Sequence, residues 1–170
     1  MSLVTTVAGT TSNAYASLED VEENLYGTAL TKWRSLADNV EREALVKRAT
    51  IIIDMQTYRG DLYDSAQSLK FPRNYHYTTD DEDVDTPYLH PSVTKALYAQ
   101  VTAMLNGFGE GFTDQILEYR SKGVSSVSLG VGSSMQFDKR TPSARDFLCA
   151  EARVLLAPFF MHRTIRVERG

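Results

Sequence analysis

The sequence predicts a mainly α protein: a small bundle of about four helices, with a short β-hairpin before the last helix and extended arms at both ends. Three observations carry that expectation. Apolar residues recur at three- and four-residue spacing behind helix-start signals in several separate stretches. One stretch, 124–137, drops instead to a period of two. The chain has 170 residues, 42% of them apolar and 24% charged, the size of one domain, which buries about 70% of its unfolded surface and holds a core without cross-links. A lone cysteine, Cys149, allows no disulfide within the chain.

Residues 1–16 are small and polar, with too few large apolar groups to offset the entropy of ordering, and are expected to form a flexible arm. Ser17-Leu18-Glu19-Asp20 sets a serine three residues before an acid, the pattern of a reciprocal helix cap. Glu19, Asp20, Glu22 and Glu23 gather where a helix N-terminus attracts negative charge. Helix one is expected over 18–26, ended by Gly27, and a second short helical segment over 28–36, anchored in the core by Trp33. Asp38-Asn39-Val40-Glu41 repeats the start signal, and Leu45, Ala49, Ile52 and Gln56 behind it form one stripe of a helix over about 39–57. The run Ile51-Ile52-Ile53 suits a buried strand, but the flanking period is helical and the stretch exceeds normal strand length.

The stretch 59–90 reads as a long loop, where Gly, Pro, Asn and Asp accumulate. Within it Asp80, Asp81, Glu82, Asp83 and Asp85 form a self-repelling acidic block of the kind that stays solvated. Pro91 suits the first turn of the third long helix, whose buried stripe is Val93, Leu97, Val101 and Met104 or Leu105, with Asn106-Gly107 as the stop; together the helices occupy 17–107. Residues 108–120 carry no assignable pattern. In the hairpin 124–137, Val127, Leu129 and Val131 alternate with Ser126, Ser128 and Gly130, and Met135 and Phe137 continue beyond the turn. Pro142-Ser143 opens a last helix over 143–160, with Leu148, Ala152, Leu155 and Phe159 on one face and Pro158 bending or ending it. The tail 161–170 sets Arg163, Arg166 and Arg169 against one acid, Glu168. No internal repeat is present.

Charge and composition narrow the function. A net charge of −4 and a pI near 5.4 argue against a protein that coats nucleic acid. The N-terminus lacks a basic region followed by an apolar run, and no stretch nears the roughly 20 apolar residues of a membrane span, so an intracellular, reduced, soluble protein without membrane contact is expected.

Tests for chemistry return little. Asp81, Asp83 and Asp85 alternate like calcium-loop ligands, but Thr86 stands where glycine is needed, Pro87 follows, and Ser92 replaces the bidentate acid. The clusters Gly107-Phe108-Gly109-Glu110-Gly111 and Gly130-Val131-Gly132 lack the Lys-Ser/Thr ending of a phosphate loop and read as helix stop and hairpin turn. His76, His90 and His162 show no metal-site spacing and read as surface residues. Cys149 lies beside the apolar stripe of the last helix with no cation to activate it, and no serine sits in a nucleophile elbow. No enzyme activity, metal or cofactor is expected. A nucleic-acid reading has more material: Tyr58, Tyr63, Phe71, Tyr75 and Tyr77 are interleaved with Arg59, Lys70 and Arg73, and bases stack on aromatics while cations follow phosphates. Against it, Phe71 and a tyrosine or two would serve equally to pin the loop onto the helices, and the neighbouring acidic block repels phosphate.

The order of motifs along most of the chain resembles the head-tail connector, or adaptor, proteins of tailed bacteriophages and prophages. The matching pieces begin with Tyr15-Ala16-Ser17-Leu18-Glu19-Asp20, Trp33, Lys47-Arg48-Ala49-Thr50 with Asp54, and Tyr58-Arg59-Gly60 leading to Leu69-Lys70-Phe71-Pro72-Arg73. They continue with Pro91-Ser92-Val93-Thr94-Lys95-Ala96, Val124-Ser125-Ser126-Val127-Ser128-Leu129 and Leu155-Leu156-Ala157-Pro158-Phe159. The resemblance implies a helical bundle that forms a ring, commonly of twelve copies, beneath the portal protein. Such a ring extends the channel through which DNA passes without specific binding and offers a docking surface to the next neck or tail-completion protein. It places the chain in the virion neck, and in the host bacterial cytoplasm during assembly. Related sequences also carry a second label, primosomal or DnaT-like single-stranded-DNA-binding protein, under which Tyr58, Arg59, Lys70, Phe71, Arg73 and Tyr75 would be the DNA-binding residues. Under the connector reading Arg163, Arg166 and Arg169 are expected to dock on an acidic portal surface. The acidic block 80–85 and segment 108–120 depart from the family pattern.

Overall fold

Side-chain caps build three of the helix starts that the sequence signals. In the computed structural model, which describes residues 2–74, 87–108, 126–128, 134–136 and 144–161, helix α1 (Leu18–Asn24) opens on a capping box. Ser17 Oγ accepts from the Asp20 N–H at 3.1 Å, and Asp20 Oδ2 accepts from the Ser17 N–H at 3.0 Å. Helix α3 (Asn39–Asp54) uses a related pair: Asp38 Oδ1 takes the Glu41 N–H at 2.9 Å, while Glu41 reaches back past the cap to the Ala37 N–H at 3.0 Å. Helix α4 (Pro91–Leu105) has Pro91 in its first turn and ends at Asn106, followed by Gly107 at φ +88°. Its cap is His90, whose Nδ1 accepts from the Ser92 N–H at 3.1 Å. His90 therefore has a structural task, with its ring 5.2 Å from that of Phe159, rather than lying idle on the surface.

The helices form a mainly α bundle around α4. Val93, Ala96, Leu97, Gln100, Val101 and Met104 of α4 are buried, and the helix packs against α2 (Gly27–Ser35), α3 and α5 (Ala150–Leu156). Trp33 on α2 is fully buried, as its place in the sequence predicts. The remaining expected boundaries shift for identifiable reasons. α1 stops at Asn24 because Leu25 turns extended and buries its side chain. Gly27, at φ +59°, then opens α2 instead of closing α1. α3 ends three residues before the predicted 57, since two carbonyls of its last turn take side-chain donors: Gln56 Nε2 reaches Ile52 O at 3.0 Å and the Tyr58 hydroxyl reaches Ile53 O at 2.8 Å. Ala49 and Gln56 of the predicted stripe are buried, while Leu45 and Ile52 are half-buried and their neighbours Val46 and Ile53 take the fully buried places.

The predicted last helix, 143–160, is not continuous. A single 3-10 turn (Ala144–Phe147) breaks at Leu148, α5 begins anew after Cys149, and a second 3-10 turn (Ala157–Phe159) carries Pro158. The break is made from α4: Gln100 Nε2 donates to Phe147 O at 3.2 Å, and its Oε1 accepts the Cys149 N–H at 2.9 Å. Both backbone groups would otherwise have entered the helical ladder. Cys149 becomes the cap of α5, its Sγ accepting from the Ala152 N–H at 3.4 Å.

Two small antiparallel pairs complete the fold. β1 (Asp61–Leu62) and β2 (Arg73–Asn74) close the described part of the loop 59–90, a pairing the sequence pattern does not signal. β3 (Ser126–Ser128) and β4 (Ser134–Gln136) form the expected hairpin, with Val127 opposite Met135. The N-terminal arm, expected to be flexible, is held. Val4 and Asn13 bond each other, Ser68 bonds the Gly9 carbonyl at 3.1 Å, and Ala14, Tyr15 and Ala16 are buried.

Candidate functional site

A surface that binds a nucleic-acid strand needs rings with a free face and cations with a free head. Tyr58 and Phe71 have neither face free, at 4% and 3% exposure. The Phe71 ring lies 4.6 Å from Tyr58, 5.5 Å from Phe159 and 6.2 Å from Tyr15, while Tyr58 stacks on Phe160 at 5.7 Å. These aromatics draw the arm, the end of α3, the loop and the C-terminal 3-10 turn into one core cluster. Arg73 is committed as well: Nε donates to Arg59 O at 2.8 Å, Nη1 to Lys70 O at 3.3 Å and Nη2 to Gly60 O. Of the six candidate DNA-binding residues, Arg59 and Lys70 are exposed, and Tyr75 lies outside the described residues. Among the described residues, Tyr58 and Phe71 thus belong to a core cluster, whose members Tyr15, Phe159 and Phe160 sequence spacing does not connect with the stretch, while Tyr63 is half-buried.

Beside that cluster sits Asp54, in the last turn of α3. The Tyr15 hydroxyl donates to Oδ1 and the Lys70 N–H to Oδ2, the latter at 3.2 Å. Burial raises the Asp54 pKa to about 6, against the opposing pull of the bonds from Tyr15 and Lys70. Tyr15 and Tyr58 are both pushed up, first by burial and then by the Asp54 charge. The carboxylate joins the arm, α3 and the loop.

A second arrangement lies between α1, α2 and the start of α3, where an open groove of about 380 Å3 is lined by Glu19, Glu22, Glu23, Trp33, Arg34 and Arg42, among others. Arg34 Nε pairs with Glu22 at 2.9 Å and, before other influences, holds that carboxyl below its ordinary pKa. Arg42 bonds the carbonyls of Trp33 and Arg34 and Oδ1 of Asn39, and its guanidinium stands 5.9 Å from the indole centroid. The buried Trp33 indole N–H adds to the lowering of the Glu22 pKa, after the Arg34 bond. Sequence reasoning reads these acids only as a helix start and Trp33 only as core. The groove arises because three elements meet, which no local pattern records.

The other candidates are quickly placed. Arg163, Arg166, Arg169, the acidic block 80–85, His76, His162 and segment 109–120 lie outside the described residues. Cys149 is buried, and burial pushes its thiol pKa up, the opposite of activation. Among the described residues no cluster of three metal-ligating side chains occurs, and no helix is long and apolar enough to cross a membrane.

Compared with known families, residues 1–170 match the model described as "Putative DnaT-like ssDNA binding protein". The comparisons with curated proteins and with solved structures returned no match.

Proposed function

The chain belongs to this DnaT-like family over residues 1–170; on the motif order and the placement of its aromatics, we propose that it works by protein assembly, as a head-tail connector of a tailed bacteriophage. In this reading copies of the chain form a ring under the portal protein, extend the DNA channel and present a surface to the next neck or tail protein. The observation that carries the reading is the burial of Tyr58 and Phe71: two of the aromatics a strand binder would use are consumed in the core. The resemblance in motif order and the net charge of −4 support it further, since an acidic channel wall neutralises few phosphates and lets DNA slide. Electron microscopy of purified virions labelled with an antibody to this chain tests it, with label expected between capsid and tail. Absence from complete virions overturns it.

The family description favours a second reading, binding of single-stranded DNA. With Tyr58, Phe71 and Arg73 committed to the fold, such binding would fall to exposed cations such as Arg59 and Lys70. An oligonucleotide shift with a steep fall in affinity as salt rises is its signature.

A further inference from the structure

A surface helix turns its apolar stripe to the core and a polar face to water; one that is apolar on both sides is built to be covered on both. Among the described residues, the large apolar side chains exposed on helices are Val40 and Ile51 of α3, Met55 at its C-terminal cap, and Val154 of α5. On α3, Val40, Ala44, Arg48, Ile51 and Met55 are all exposed. At the helical repeat they fall within about 80° of the circumference and form a stripe about 22 Å long. The stripe lies opposite Val46, Ala49 and Ile53, which are fully buried. Along α5 and the 3-10 turn behind it, Ala150, Val154 and Ala157 are exposed in the same way, opposite the buried Ala152 and Leu156. Each stripe carries one unanswered charge. The side chains of Arg48 on α3 and Glu151 on α5 are exposed and have no hydrogen-bond or ion-pair partner among the described residues. Their neighbours are occupied: Lys47 pairs with Glu43 at 3.1 Å, and Arg153 donates to Leu148 O at 3.3 Å.

We infer that the α3 stripe of one copy of this chain packs against the α5 stripe of the next, with Arg48 paired to Glu151 across the contact. Both helices pack on α4 and both stripes are exposed within one chain, so the contact forms between copies. Charge selects this pairing over α3 against α3. An antiparallel pair of α3 helices that covers Met55 with Val40, and Ile51 with Ala44, brings Arg48 of each helix against Lys47 and Arg48 of the other. A parallel pair stacks Arg48 on Arg48. Like charges facing each other oppose association, and Glu43, which could answer them, is held by Lys47. The α5 face supplies what α3 lacks. Ala150 and Ala157 are small enough to let Ile51 and Met55 approach, and Glu151 brings the carboxylate. An apolar surface set with a methionine and an arginine has the composition of an interface centre. Because the two stripes differ, the contact is head-to-tail, the kind that closes into rings. The inference therefore deepens the connector reading and rests on it for the closure into a ring.

Cysteine cross-linking of full-length chains reads the pairing directly, because the native Cys149 is buried. A mixture of Ile51→Cys and Val154→Cys chains under mild oxidation is expected to give mixed dimers, while either variant alone gives none. In sedimentation the unaltered chain self-associates with rising concentration. Arg48→Glu and Glu151→Arg each weaken that association at least about tenfold, and both reversals in one chain restore it to within about threefold. Both positions are exposed, so thermal melts stay unchanged and lost association is not lost folding. Cross-linking by Ile51→Cys alone would mean that α3 meets α3, and overturns the inference. A chain that stays monomeric without mixed cross-links also overturns it, as does a double reversal that associates no better than the single ones. Mixed cross-links from a protein absent from the virion neck support the interface while removing the connector reading. Label at the neck without mixed cross-links overturns the two faces alone.

Discussion

Asp54 places a carboxylate where burial raises its pKa from 3.8 to about 6, although the Tyr15 hydroxyl and the Lys70 N–H both bond the charged form. Because the folded value lies above the unfolded one, the folded chain holds this proton more tightly. The group's stabilising contribution is fully present below about pH 4 and is lost as pH rises through about 6. Asp54→Asn removes the titration, keeps an oxygen for Tyr15 and gives up the acceptor for Lys70. Thermal melts at about pH 5 and about pH 7.5 should therefore show the variant improving relative to the unaltered chain at the higher pH, by on the order of 1 to 2 kcal/mol. The comparison is relative because His90 works the other way: burial, then Lys95, lowers its pKa, so it withdraws stability as pH falls through that range. Asp20 and Glu22, whose pKa values are lowered, act only below the ordinary carboxylate range. Parallel pH profiles for the two proteins would show that the Asp54 charge does not govern the joint.

The last helix was interrupted by a residue 49 positions away, and this explains which elements could be read from sequence. The starts of α1 and α3 were legible because Ser17 with Asp20, and Asp38 with Glu41, meet within one turn. The α4 stripe was legible because α4 is central and its buried face repeats along its whole length. The break at Leu148 was not, since Gln100 is polar and reads as surface until α5 closes over it. The same holds for the arm, fastened by Ser68 and Asp54, and for the groove, where acids of α1 meet Trp33 of α2 and Arg42 of α3. Gln100→Ala leaves Phe147 O and the Cys149 N–H buried without partners and should cost about 2 to 4 kcal/mol. Loosening α5 also exposes its cap, so Cys149, buried in the native chain, should react faster with a thiol reagent under native conditions. A variant with unchanged melting and an equally protected thiol would mean that α5 is held by its apolar face alone.

Across the whole molecule, Phe71 is where distant parts of the chain converge, touching Tyr15 of the arm, Tyr58 beyond α3 and Phe159 after α5. The two readings of the protein differ on what that ring is for. If it stacks on a base, losing its aromatic face removes on the order of 1 to 3 kcal/mol of binding, whatever happens to the fold. If it is core, a smaller apolar side chain costs stability and leaves any nucleic-acid binding to exposed cations. Phe71→Leu separates the two, because it keeps an apolar group in the cluster while Phe71→Ala opens a cavity worth about 3 to 5 kcal/mol. Oligonucleotide anisotropy measured on Phe71→Leu, at a temperature where its melt shows it folded, should match the unaltered chain at every salt concentration. Arg59→Ala with Lys70→Ala should lower whatever binding exists and flatten its salt dependence, each lost phosphate contact reducing the slope by about 0.7 for a single strand. Binding lost in folded Phe71→Leu would place that ring on the nucleic acid and require the arm and loop to open around it. Binding retained there would leave Phe71 holding the arm, the loop and the C-terminal turn together, as its ring contacts with Tyr15, Tyr58 and Phe159 require.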